Sequence, residues 1–187
     1  QGNNRTALSF YNPQYIIDNN KFTSENDRIL GNVFAQLNFT KWLNFRTVYG
    51  IDNLNVTNKE FRAALHGDGV QFGGAAQNTQ QTFRRWNWQN LLTFDKSFNK
   101  HSINLLVGNE QQYSNSQGWG ADRRGQTDPF YDEFQGGFST IVPTGNFYGE
   151  NYLVSFLGRL NYNYGGKYYV SLNARRDGYS AFAPENK

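Results

Sequence analysis

Residues 159–178 read RLNYNYGGKYYVSLNARRDG. Leu160 and Tyr162 approach the Gly165–Gly166 pair on one side of the chain, with Arg159, Asn161 and Asn163 on the other. Beyond it, Tyr168, Val170, Leu172 and Ala174 oppose Ser171, Asn173, Arg175 and Asp177. A period of two places successive side chains on opposite faces of an extended strand, and a glycine pair between two such runs marks a hairpin turn. No apolar run here approaches the ~18 residues of a membrane-crossing helix.

The same plan recurs upstream. In RILGNVFAQLNF (28–39), Ile29, Val33, Ala35, Leu37 and Phe39 share a face, while Arg28, Asn32, Gln36 and Asn38 share the other, with Leu30 and Phe34 intruding. After a short link, Leu43, Phe45, Thr47, Tyr49 and Ile51 oppose Asn44, Arg46, Gly50 and Asp52. A second pair sets Trp86, Trp88, Leu92 and Phe94 against Arg85, Asn87, Gln89, Thr93 and Asp95, followed by Ile103, Leu105 and Val107 on one face. Asn90 interrupts that apolar stripe. The lead-in to the first hairpin adds Val154 and Phe156 to its apolar side and Ser155 to its polar side.

These patterns predict an all-β fold, an antiparallel meander of about six long strands in three hairpins, near 28–39, 43–54, 82–95, 101–113, 151–164 and 167–177. The runs exceed the ~5–6 residues usual in soluble domains and reach the ~9–11 that a tilted membrane strand needs. Links near 40–42, 96–100 and 164–167 are short, whereas long connections are expected at about 55–81 and 114–150. Short turns at one end and long loops at the other characterise outer-membrane barrels. Phe39, Trp42, Phe94, Phe98, Tyr164 and Tyr168 flank the short turns as an interfacial girdle. Lipid offers no hydrogen bonds to bare backbone, so a spanning sheet must close. Six strands fall short of the ~8 of the smallest usual barrels, so this stretch reads as an arc of a larger wall.

Composition agrees. Of 187 residues, 17% are aromatic and only 18% charged, and the rings sit among abundant turn formers. With no cysteine, neither disulfides nor a thiolate metal site can form. A net charge of +3 from dispersed cations argues against nucleic acid as a partner. There is no methionine, even at position 1, and the opening QGNNRTALSF lacks signal-peptide character. The chain is therefore expected to be an internal piece of a longer protein, with a mature N-terminus after signal cleavage as the competing account.

Catalysis finds no support. His66 and His101 fall in different connections, and neither neighbours a nucleophile. Asp128, Asp132 and Glu133 offer oxygen ligands but do not match a calcium-loop spacing, and a solvated loop is the reading adopted. No metal or other cofactor is expected. Rings within 114–150, namely Trp119, Phe130, Tyr131, Phe134, Phe138, Phe147 and Tyr148, could stack on sugars or dock a lid, against the plainer alternative of loop self-packing. Of these, Trp119, Phe130, Tyr131, Phe147 and Tyr148 are the substrate-binding candidates. Arg175 and Asp177, on the polar face of the last strand, join them, with an ion pair between adjacent strands as the structural alternative. Arg176 is expected to point outward at the same level, with anionic lipopolysaccharide as its expected neighbour.

The run SFLGRLNYNYGGKYYVSLNARRDGYSAFAPENK (155–187) resembles the late-barrel signature of the SusC/RagA-like TonB-dependent outer-membrane transporters of Bacteroidetes. Their Arg-Arg-Asp-Gly-Ser-Ser-Arg-Phe-Gly run falls on Arg175, Arg176, Asp177, Gly178, Tyr179, Ser180, Ala181, Phe182 and Ala183, with Tyr179, Ala181 and Ala183 departing. NPQYIIDNN (12–20), residues 28–52 and residues 88–112 are similar in the right order. The resemblance implies a 22-stranded barrel around an N-terminal plug, which this chain does not include. It also implies a SusD-like surface lipoprotein as a partner, TonB acting through an N-terminal region, contact with outer-membrane lipid, and import of glycans or peptides. The runner-up is a free-standing extracellular β-module that binds carbohydrate.

Overall fold

The computed structural model describes residues 12–181. Phe182 and Ala183 of the late-barrel run lie outside them. A short helix, α1 (Pro13–Asn19), precedes six strands: β1 (Lys21–Thr40), β2 (Leu43–Arg62), β3 (Ala75–Phe98), β4 (His101–Gln126), β5 (Phe138–Tyr164) and β6 (Tyr168–Tyr179). They form one open antiparallel sheet in chain order, β1 to β6.

Helix α1 lies outside the all-strand expectation, although its start is written in the sequence. Asn12 caps it by accepting the Gln14 N–H at 3.0 Å, and Pro13 occupies the first turn, where its missing N–H costs nothing.

The strands run further than the apolar alternation predicts, to 20 residues in β2, 24 in β3, 26 in β4 and 27 in β5. Most of 55–81 and 114–150, expected as loop, is strand, leaving only 63–74 and 127–137 as connections. The physical reason lies in stretches such as AAQNTQQT and SNSQGWGADRRG. Their backbone is satisfied by the neighbouring ladder, so neither face needs an apolar stripe to hold the extended form. Pro143 lies within β5 beyond the stretch that pairs with β6, whose register runs from Leu153↔Tyr179 to Tyr164↔Tyr168. A strand tolerates proline where its N–H has no ladder partner.

The short connections behave as expected. Gly165 and Gly166 take φ of 60° and 70°, the left-handed pair of a tight hairpin turn. Lys41–Trp42 and Asn99–Lys100 make the other two turns, Asn99 at φ 51°.

The chain packs as two compact units. One comprises Ile29–Asn53, Phe83–Asn115 and the stretch from Gly149 onward. The other comprises the stretch up to Arg28, Leu54–Thr82 and Ser116–Tyr148. The second unit holds the small apolar core. Phe61, Ala63 and Ala76 are buried there, with Tyr15 of α1, Phe134 and Phe138 packed against them. His66 is 2% exposed beside that core; its Nε2 accepts the Asn12 N–H and its ring meets Tyr15 edge-on at 5.4 Å.

Candidate functional site

In the unit containing the three short turns, side-chain contacts sort the strands onto two faces. One is apolar and bounded by rings. Trp86 lies 6.2 Å from Tyr49, 6.0 Å from Tyr113 and 6.0 Å from Tyr152. Nearer the turns, Trp42 meets Phe94 at 5.3 Å, and His101 meets Phe98 at 5.2 Å and Tyr164 at 5.0 Å. Between the two ring clusters, Leu92, Leu105, Val107, Phe156 and Leu172 stand exposed. From Trp86 to Phe94 is about 26 Å at the ~3.3 Å rise of a strand. That matches the ~25 Å apolar band of a barrel wall.

The opposite face is polar and hydrogen-bonded. Arg175 donates from Nε to both carboxylate oxygens of Asp177, at 2.8 and 3.1 Å. Its Nη2 reaches Ser155 Oγ at 3.0 Å and Glu110 Oε2 at 3.5 Å. Glu110 Oε1 in turn accepts from Asn87 at 2.8 Å and Gln112 at 2.9 Å. Ser155 stands opposite Asp177 in the ladder and is fully buried. Nearer the turns, Asn104 donates to Asp95 at 2.9 Å and Ser171 to Asn161 at 2.8 Å. Asn87 and Gln112 also line a groove of about 650 Å³ on this face, together with Asn32, Asp52, Arg85 and Asn151. Such a surface can hold a polar solute by amide and charge-assisted hydrogen bonds. It carries no nucleophile–base pair.

Of the residues singled out in the sequence, Arg175 and Asp177 enter this network. Their pairing runs along β6, two residues apart, and the links to other strands come from Ser155 on β5 and Glu110 on β4. Glu110, Ser155, Asn87 and Gln112 were not singled out. Each lies on the polar parity of its strand, but which of them meet depends on register, and six aligned strands do not reveal that from one sequence.

The ring candidates belong to the other unit, spread over both sides of its strands and the 127–137 connection. Phe130 is 81% exposed and meets Tyr131 edge-on at 5.4 Å in the 127–137 connection. Trp119 and Tyr148 are 64% and 68% exposed. Phe147 lies over Gly118, so the adjacent Trp119 and Tyr148 project to the opposite side of their strands. The acidic candidates also separate. Asp132 pairs with Lys21 at 2.7 Å, and Asp128 accepts the Phe130 N–H at 2.9 Å. Among the described residues, no three His, Cys, Asp or Glu side chains gather as a metal site. Elsewhere in this unit, Arg62 bonds Glu60 at 2.7 and 3.0 Å, and that hydrogen bond holds the guanidinium pKa above its ordinary value.

TonB-dependent receptor P3 of Formosa agariphila is 34% identical to this sequence over 167 residues, 86% of the chain. The chain is similar to a TonB-dependent receptor over most of its length. It spans 16% of that receptor's length. No protein-family profile matches it. In fold, the chain superimposes on a chain of the RagAB peptide transporter with a TM-score of 0.76 at 22% identity, covering 93% of itself and 20% of that chain. Against the RagAB peptide importer in its closed-closed state the TM-score is 0.72, again at 22% identity, covering 93% of the segment and 20% of that chain. The six-stranded open sheet is thus similar in sequence to a TonB-dependent receptor and in fold to RagAB chains. No helix among the described residues is long and apolar enough to cross a membrane.

Proposed function

We propose that this chain is a wall segment of an outer-membrane β-barrel that imports nutrients, glycans or peptides, with energy delivered through TonB. The remainder of the barrel, a plug and a SusD-like surface lipoprotein complete that machine. The supporting observation is the division of one sheet into an apolar face bounded by two ring clusters and a polar face carrying the Arg175 network. The apolar face meets lipid and the polar face lines the lumen, where Arg175, Asp177 and the groove beside Asn87 contact solute in transit. The fold shared with the RagAB peptide transporter and importer supports peptides as cargo.

Cysteine scanning of the full-length receptor in its native membrane tests this. Cysteines at Leu92, Leu105 and Leu172 should resist a membrane-impermeant maleimide, while cysteines at Asn87, Asn173 and Asn104 should react through the water-filled lumen. Equal labelling of both sets, or recovery of the receptor as a soluble monomer without detergent, would reject the barrel in favour of a free-standing β-module.

A further inference from the structure

The three short turns carry a feature that import does not require. Lys41 sits in the first, Lys100 sits in the second with Lys96 three residues before that turn, and Lys167 closes the third. All four are exposed. The turns are joined through the backbone: the Asp95 N–H donates to Trp42 O at 2.8 Å, and the Gly165 N–H donates to Lys100 O at 2.7 Å. The lysines therefore stand on one continuous rim rather than on three independent loops. Among the described residues the only carboxylate at this rim is Asp95, which lies on the polar face and accepts from Asn104. Lys96 instead lies on the apolar face, with its ammonium 4.8 Å from the centre of the Trp42 ring.

We infer that this rim is a docking collar for anionic phospholipid headgroups. The inference rests on the barrel reading and adds a ligand to it. The ring cluster of Trp42, Phe94, Phe98 and Tyr164 sets the depth of the membrane interface, since amphipathic rings settle at the headgroup level. The lysines stand at that level on long apolar stems that reach outward past the rings. An ammonium with no protein carboxylate to pair with, placed at a lipid surface, is matched by a headgroup phosphate whose net charge is not cancelled by an amine. Zwitterionic headgroups satisfy that condition poorly. The preference is thus for phosphatidylglycerol-type lipid over phosphatidylcholine.

The test is native mass spectrometry of the full-length receptor released from nanodiscs holding equal phosphatidylglycerol and phosphatidylcholine. Wild type should retain phosphatidylglycerol preferentially, and the preference should weaken as ionic strength rises. The K41Q/K96Q/K100Q/K167Q variant should lose about tenfold or more of that preference. The milder K100Q/K167Q pair should lose part of it, which keeps the test informative if the fourfold variant folds poorly. Heat-modifiable gel migration reports barrel folding separately. A receptor that fails to enter the nanodisc would overturn the barrel reading. An inserted receptor with no lipid preference, or with a preference the variants do not change, would overturn only the collar. Lysine-dependent co-sedimentation with isolated peptidoglycan, with no lipid preference, would also overturn it and assign the rim to the cell wall.

Discussion

Arg175 grips Asp177 two residues along the same strand, with its Nε 2.8 and 3.1 Å from the two carboxylate oxygens, while its Nη2 turns away to Ser155 and Glu110. One guanidinium therefore joins β4, β5 and β6. The two acidic partners differ in setting: the Asp177 side chain is 43% exposed and that of Glu110 is 13% exposed.

That difference ranks two substitutions. Asp177→Asn removes a solvated charge and leaves Arg175 its other partners, so the temperature at which the folded band of the full-length receptor disappears should hardly move. Arg175→Ala leaves the mostly covered Glu110 carboxylate with only Asn87 and Gln112, and should cost about 1 kcal/mol or more. An equal effect of the two would mean that the network does not centre on Arg175. In uptake assays, Arg175→Ala should also weaken solute transport more than Asp177→Asn does.

Two glycines separate backbone crowding from a merely exposed position. A Cβ at Gly108 would meet Asn90 O at 2.5 Å and Leu91 Cδ2 at 2.6 Å, whereas one at Gly31 would meet nothing within 4 Å. Gly108→Ala should destabilise the folded receptor by roughly 1–3 kcal/mol, and Gly31→Ala should leave it unchanged. Thermal loss of the folded band for both variants checks the contrast.

What the sequence disclosed tracks where a side chain is constrained by its surroundings. Leu160, Tyr162, Val170 and Leu172 alternate because one face of their hairpin is apolar, and Gly165 and Gly166 announce the turn because only glycine adopts their φ freely. The outer parts of β4 and β5 carry no such stripe, so residues 116–126 and 138–150 read as loop although they are strand. The polar site was half legible. Arg175 and Asp177 stand out within a short motif, but Glu110 lies 65 residues away in the chain and Ser155 lies 20 away, and only strand register brings them together.

His66 predicts a local effect. Its ring fills a site 2% exposed and accepts the Asn12 N–H at the start of α1. His66→Ala should open a cavity and leave that N–H without its acceptor, at a cost of roughly 2–3 kcal/mol. The loss should appear as faster protease cleavage within residues 12–20 of the folded receptor. Unchanged cleavage would mean that Tyr15 packing and the bond from the Ala63 N–H to Asn20 hold α1 without His66.

Asn90 breaks the apolar stripe of β3, and its Nδ2 donates to Asn109 Oδ1 across the ladder at 3.1 Å. It lies midway between Trp86 and Phe94, so on the barrel reading the pair stands near the middle of the lipid-facing band. An amide in that position is costly without a partner, and each side chain supplies one to the other. Asn90→Leu alone strands the Asn109 carbonyl oxygen, and Asn109→Leu alone strands an Asn90 N–H. Each should destabilise the receptor by roughly 1–3 kcal/mol, whereas the double variant replaces both groups by apolar surface and should be near neutral or stabilising. A double-mutant cycle on the folded band measures the coupling. Additive losses would show that the two amides act separately, each satisfied by something other than its neighbour.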